Sequence, residues 1–145
     1  MAKITVLSAV PLEKKLSSER MPLCTEQVAA GFPSPADNFL EGQLDLNKHL
    51  IRHPAATFFV RVTGDSMIGA GIHSGDMLIV DRSLEPVDKK VVIAVINGEL
   101  TVKRLCRRKN RLVLMPENDA YEPIVVQEET EFEIWGVVTN VIHPL

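Results

Sequence analysis

The dipeptide Asn97-Gly98, set between two apolar runs, does most to limit what this chain can fold into. Both residues tolerate positive φ, as a two-residue hairpin turn of the primed type requires. Val91-Val92-Ile93-Ala94-Val95-Ile96 and the run from Leu100 to Leu105 therefore read as antiparallel neighbours. Other runs rich in β-branched and aromatic residues read as strands too: Thr57 to Val62, Met77 to Val80, Arg111 to Met115, Ile124 to Val126 and Ile134 to Val141. Short strands separated by turn residues predict a mainly β domain over residues 47–145.

Residues 1–46 read as an extended N-terminal arm. Prolines stand at positions 11, 22, 33 and 35, and each biases the residue before it towards extended geometry. The segment from Ala29 to Ala36 cannot be helical throughout, and an extended segment is what a protease cleft accepts by strand addition. Between arm and domain, Leu44 to Ile51 predicts a short helix with Asp45 or Asn47 as its cap.

The length of 145 residues suits one compact domain plus this arm. The first thirty residues carry four basic and three acidic side chains, the rest twelve and sixteen. An acidic body argues against strong direct nucleic-acid binding. The one basic cluster, Lys103, Arg104, Arg107, Arg108, Lys109 and Arg111, reads as a solvated loop joining two strands. No stretch approaches the ~18 apolar residues of a membrane span. Ile4 to Val10 is short and runs into Pro11, so no signal peptide is expected. Cys24 and Cys106 lack metal-type spacing and are expected to stay reduced, as in a cytoplasmic protein. His49, His53, His73 and His143 show neither zinc spacing nor a partner pattern, so they read as surface or packing residues. No metal and no cofactor are expected, and Asp65, Asp76 and Asp81 are assigned turn and structural roles.

One pair of residues suggests chemistry. Ser66 lies in Gly64-Asp65-Ser66-Met67, and Lys103 follows 37 residues later on the return limb of the hairpin. A serine hydroxyl needs a base to become a nucleophile. Lysine can serve where burial removes its proton. Lys103 shares a strand face with Thr101 and Leu105, where water is excluded. Separately, a serine beside glycines marks a turn, and a strand lysine guards an edge. Together they fit the Ser–Lys variant of triad logic. Gly69, Gly71 and Gly75 place Ser66 at the start of a loop or short helix.

Gly64-Asp65-Ser66-Met67, Gly75 to Asp81, Thr101 to Leu105, Leu114 to Asn118 and Tyr121 to Ile124 resemble the LexA/signal-peptidase-like group of Ser–Lys self-cleaving proteins. Ala30 to Ala36, Leu44 to Asn47, His53 to Val60 and Trp135 to Val138 narrow the resemblance to the UmuD-like members. The likeness implies a LexA/signal-peptidase-like β domain with Ser66 as nucleophile, Lys103 as general base and Ala30-Gly31 as the scissile bond. Some relatives carry cysteine where this chain has Ala30, and both are small. The likeness further implies stimulation by a RecA filament on single-stranded DNA, a UmuC-type translesion polymerase as partner in the SOS response, and a homodimer. The alternative is a non-catalytic regulatory subunit of a polymerase or SOS complex. A repressor would need a helix-turn-helix domain before the cut, and a signal peptidase would need a membrane anchor; neither is expected here.

Overall fold

The computed structural model describes residues 3–6, 19–24, 27–31 and 41–145. Most of the segment Ala29 to Ala36, from Phe32 onward, lies outside them. The described residues fall into two compact units, one drawn from 1–14 and 53–145 and the other from 15–52.

The larger unit is one antiparallel sheet. Its strands are β1 (Lys3–Val6), β4 (Thr57–Thr63), β5 (Met77–Asp81), β6 (Val91–Ile96), β7 (Glu99–Arg108), β8 (Arg111–Met115), β9 (Ile124–Val125) and β10 (Phe132–Ile142), ordered β1-β4-β5-β10-β6-β7-β8-β9. Asn97 and Gly98 both adopt positive φ at the β6–β7 turn, as the dipeptide predicts. Lys109 and Asn110 do the same between β7 and β8. The basic cluster is thus not a loop: all but Lys109 of its members lie on the two limbs of a hairpin, and Lys103 is buried.

Strand β10 organises the sheet. Its first half pairs with β6 and its second half with β5, with register shifts after Ile134 and after Val138. Such irregularities bend a strand and increase its twist, and the sheet curls until β1 approaches β7. Gly136 sits at the bend because a Cβ there would lie 2.6 Å from Val80 Cγ1. The curl encloses a core of Val60, Val62, Met67, Ile72, Leu78, Val80, Ile93 and Val102. A second cluster, from Val92, Ala94, Leu105, Leu114 and Val137, fills the other side. Each fully buried Val, Leu or Ile contributes roughly 1.5–3 kcal/mol relative to exposure. β6 is buried on both faces in its middle: Ile93 joins the first cluster, and Val92 and Ala94 join the second.

The smaller unit pairs β2 (Arg20–Cys24) with β3 (Glu41–Asp45), followed by α1 (Leu46–Leu50). Asp45 caps α1, accepting from the Asn47 and Lys48 amides. Sequence reading assigned no strand before Thr57, yet β1, β2 and β3 lie there. Their pairings are short, and Pro22 within β2 masks the pattern. No helix among the described residues is long and apolar enough to cross a membrane.

Candidate active site

Ser66 is placed by a sharp exit from β4. Gly64 turns the chain at φ 97°, and a 3-10 turn, Ile68–Ala70, follows the serine. Met67 is buried in the core and anchors the turn from below. The segment that leaves β8 then holds the turn from the other side. The Glu117 amide donates to the Ser66 carbonyl at 2.8 Å, and the Gly69 amide donates to the Glu117 carbonyl at 2.7 Å. A Cβ at Gly69 would lie 2.7 Å from that carbonyl oxygen, so only glycine permits the approach. Asn118 Nδ2 donates to the Asp65 carbonyl at 2.9 Å, and the Tyr121 hydroxyl donates to the Asp65 carboxylate. Arg104 pairs with the Glu117 carboxylate and fixes the clasp to β7.

Lys103 sits in mid-β7, opposite Val92, where the pairing with β8 begins one residue later. Its Nζ lies 3.0 Å from Ser66 Oγ, 3.1 Å from Thr101 Oγ1 and 3.0 Å from the Val102 carbonyl. Ser66 is 0% exposed and Lys103 1%. Among the described residues, no carboxylate forms an ion pair with Lys103. Burial therefore acts unopposed, pushing its pKa down from 10.5 to about 8. A neutral amine has two N–H donors and one lone pair. Thr101 and the Val102 carbonyl can take the two donors, leaving the lone pair for the Ser66 hydroxyl proton. Serine and lysine stand as a nucleophile–base pair should.

The peptidase S24-like family model matches residues 22–139. The chain belongs to that family. It is 49% identical over 138 residues to protein SamA of Salmonella typhimurium, covering 95% of this chain and 96% of SamA. It is 44% identical to protein MucA of Escherichia coli, over 86% and 87% of the two chains. The LexA repressor of Geotalea uraniireducens is 43% identical over 81% of this chain and 59% of the repressor. Within the family it is a UmuD/MucA-like member. In general terms that makes it a serine protease of the self-cleaving kind.

Other residues singled out in the sequence fall elsewhere in this S24 fold. Ala30 and Gly31 belong to the smaller unit, both exposed, with Gly31 at φ 126°. Cys106 carries a free thiol. Arg107, Arg108, Lys109 and Arg111 line the exposed tip of the β7–β8 hairpin. Two of the four histidines have hydrogen-bonded carboxylate partners that no sequence spacing announced. His53 Nδ1 lies 2.6 Å from Asp81 Oδ2, and His143 Nδ1 2.6 Å from Asp76 Oδ1. Desolvation tends to raise both aspartates. For Asp81 the Ser83 and His53 hydrogen bonds outweigh it, and for Asp76 those from the His73 amide and His143 do; both carboxyls end below their usual value. These contacts join residues 28 and 67 positions apart, beyond the reach of any local spacing rule. The clasp of Gly69, Glu117, Asn118 and Tyr121 was also unassigned a role. Its turn-forming composition after a strand marked a loop, but nothing in it named Ser66 as the loop's target.

Proposed function

We propose that the chain is an SOS-response protease that cuts its own Ala30-Gly31 bond with Ser66 as nucleophile and Lys103 as general base. The observation that carries the reading is the 3.0 Å contact between a buried lysine amine and a buried serine hydroxyl, with only neutral partners around the amine. Kinship with UmuD-like proteins carries a general role in SOS mutagenesis.

In the cut, neutral Lys103 takes the Ser66 proton as Oγ attacks the Ala30 carbonyl carbon. The amides of Ile68 through Ile72 all donate to backbone carbonyls. Among the described residues of this turn, Ser66 and Met67 keep amides that no carbonyl engages, and we assign these two to the developing oxyanion. Collapse breaks the C–N bond, and the Lys103 ammonium returns the proton to the Gly31 amine. Water then attacks the Ala30 ester, giving a proton to Lys103, which passes it to the departing Ser66 oxygen as the Ala30 acid is released and ionises. Small side chains at 30 and 31 fit a cleft narrow enough to keep Lys103 dry.

A RecA filament on single-stranded DNA favours the engaged state, and the fragment beginning at Gly31 serves a UmuC-type polymerase as its accessory subunit, acting as a homodimer. The decisive experiment incubates the purified chain with RecA, an ATP analogue and single-stranded DNA and measures product masses. A new N-terminus at Gly31, abolished by Ser66→Ala and by Lys103→Ala, is expected. Normal cutting by both variants, or a cut elsewhere, overturns the reading. Cutting at Gly31 without capture of the polymerase by the fragment would separate the protease from its assigned partner.

A further inference from the structure

On the sheet, apart from the Ser66–Lys103 pair, three side chains from separate parts of the chain converge. His73 lies in the loop after the 3-10 turn, Asp76 immediately precedes β5, and His143 follows β10. Asp76 is 1% exposed. Its Oδ2 accepts from the His73 backbone amide at 2.7 Å, and its Oδ1 meets His143 Nδ1 at 2.6 Å. The carboxylate is therefore fixed before anything binds. The two imidazoles lie face to face, centroids 4.4 Å apart at a tilt of 30°. His73 Nδ1 is buried and has no hydrogen-bond partner, being 3.7 Å from Asp76 Oδ2. A buried ring nitrogen left unsatisfied is costly in an ordinary polar cluster. An unpartnered ring nitrogen beside a fixed carboxylate and a second imidazole has the donor chemistry of a metal ligand.

We propose that His73 Nδ1, Asp76 and His143 Nδ1 form a site for a divalent cation of the zinc class. The three donor atoms lie within 4.8 Å of one another. Zinc binds imidazole nitrogen at about 2.0–2.1 Å and carboxylate oxygen at about 2.0–2.2 Å, so tetrahedral donors stand roughly 3.3 Å apart. His143 Nδ1 lies 2.6 Å from Asp76 Oδ1 and His73 Nδ1 3.7 Å from Oδ2, so the two oxygens of one carboxylate face the two rings. Bringing both nitrogens and one oxygen to that spacing takes changes in separation of about 1.5 Å at most, and both imidazoles are partly solvent-facing, which gives the ion a way in. Two imidazoles and one carboxylate suit zinc-class metals, whereas magnesium and calcium favour all-oxygen shells. The metal replaces the proton that His143 Nδ1 now shares with Asp76, and water completes the fourth position. The ion would tie the segment after β10 to the loop whose Ile72 amide donates to the Met67 carbonyl beside Ser66.

The test uses the full-length chain without an affinity tag, titrated with cobalt(II) as a spectroscopic probe and then with zinc. One equivalent of cobalt should give the visible absorption of a tetrahedral centre, which one equivalent of zinc removes. Zinc should also raise the thermal unfolding midpoint. His73→Gln and His143→Gln should each weaken binding by at least about tenfold, the scale on which even supporting residues of metal sites act. Both abolish the zinc-dependent rise. His73→Gln breaks no side-chain hydrogen bond at Nδ1, so it carries the test if His143→Gln unfolds. Absence of saturable binding overturns the proposal. So does binding unchanged by either substitution, which would place the ion on other donors.

Discussion

Raising the pH from 7 to 9 should accelerate unstimulated self-cleavage about tenfold. The cause is the Lys103 amine, lowered by burial to about 8. A base with that pKa is about one-tenth neutral at pH 7, half neutral at pH 8 and about nine-tenths neutral at pH 9. Only the neutral form has a lone pair for the Ser66 proton, 3.0 Å away. The rate should therefore rise nearly tenfold from pH 6 to 7, about fivefold from 7 to 8, and flatten above 9. A solvated lysine would instead keep the rate climbing past pH 10. The assay follows loss of the intact chain by mass spectrometry from pH 6 to 10 at fixed ionic strength, with no activator. Ser66→Ala at each pH subtracts other breakdown, and circular dichroism confirms that the fold persists. A rate that is flat or falling between pH 7 and 9 refutes a lysine base. A midpoint near 10.5 refutes a dry one.

The same depressed pKa has a stability consequence whose sign is opposite to that of a paired lysine. The unfolded chain binds the Lys103 proton more tightly than the folded one, so stability rises with pH between about 8 and 10.5. Lys103→Met removes that dependence, and urea unfolding should show the wild type gaining about 3 kcal/mol on the variant between pH 7 and 10.5; a constant difference would mean the amine is not desolvated. Gly69→Ala sets a Cβ 2.7 Å from the Glu117 carbonyl oxygen and should cost about 1–3 kcal/mol of stability. It should slow cutting at least tenfold with the pH midpoint unmoved, and wild-type rate and stability would show that the clasp is dispensable. Tyr121→Phe loses the hydrogen bond to Asp65; stability should change by no more than about 1 kcal/mol, while cutting slows several-fold. A shift of the pH midpoint in that variant would mean that Tyr121 acts on Lys103 and not on the Ser66 turn.

Local rules made the larger unit readable. Asn97-Gly98 has one good use between apolar runs, and β6 and β8 run over the residues expected from sequence. Lys103 was legible through the period of two: Thr101 and Leu105 share its face, and all three are buried. What stayed hidden depends on residues far apart in the chain. The β1–β4 pairing joins Ile4 to Val62, and no feature of Lys3–Val6 separates it from a coil. The Lys109-Asn110 turn was missed because the charges around it suggested solvent, although a hairpin limb can carry arginines on its outer face. Asp76 was assigned a structural role, but its two histidines come from a loop and from the segment after β10. Bringing them together requires the sheet to be closed first.

The neutral partners of Lys103 also bound how such a protease can be switched. At pH 7 about nine-tenths of the lysine is protonated, so the resting chain is restrained by its own base. Full deprotonation relieves that restraint once only, by about tenfold or about 1.4 kcal/mol. On the proposed cut, any activator that speeds cutting by more must draw the remainder from delivery of Ala30-Gly31 to Ser66. Delivery has room to supply it. The segment is attached to the same chain, so its engagement is an intramolecular step, and it stands exposed in its own unit. Raising an engaged population from 1% to 99% takes about 5.5 kcal/mol of differential binding. A partner can provide that by gripping the smaller unit without touching the dyad. The division of labour follows from the chemistry: a buried amine sets the ceiling of the rate, and the population of the docked segment sets how close the chain comes to it.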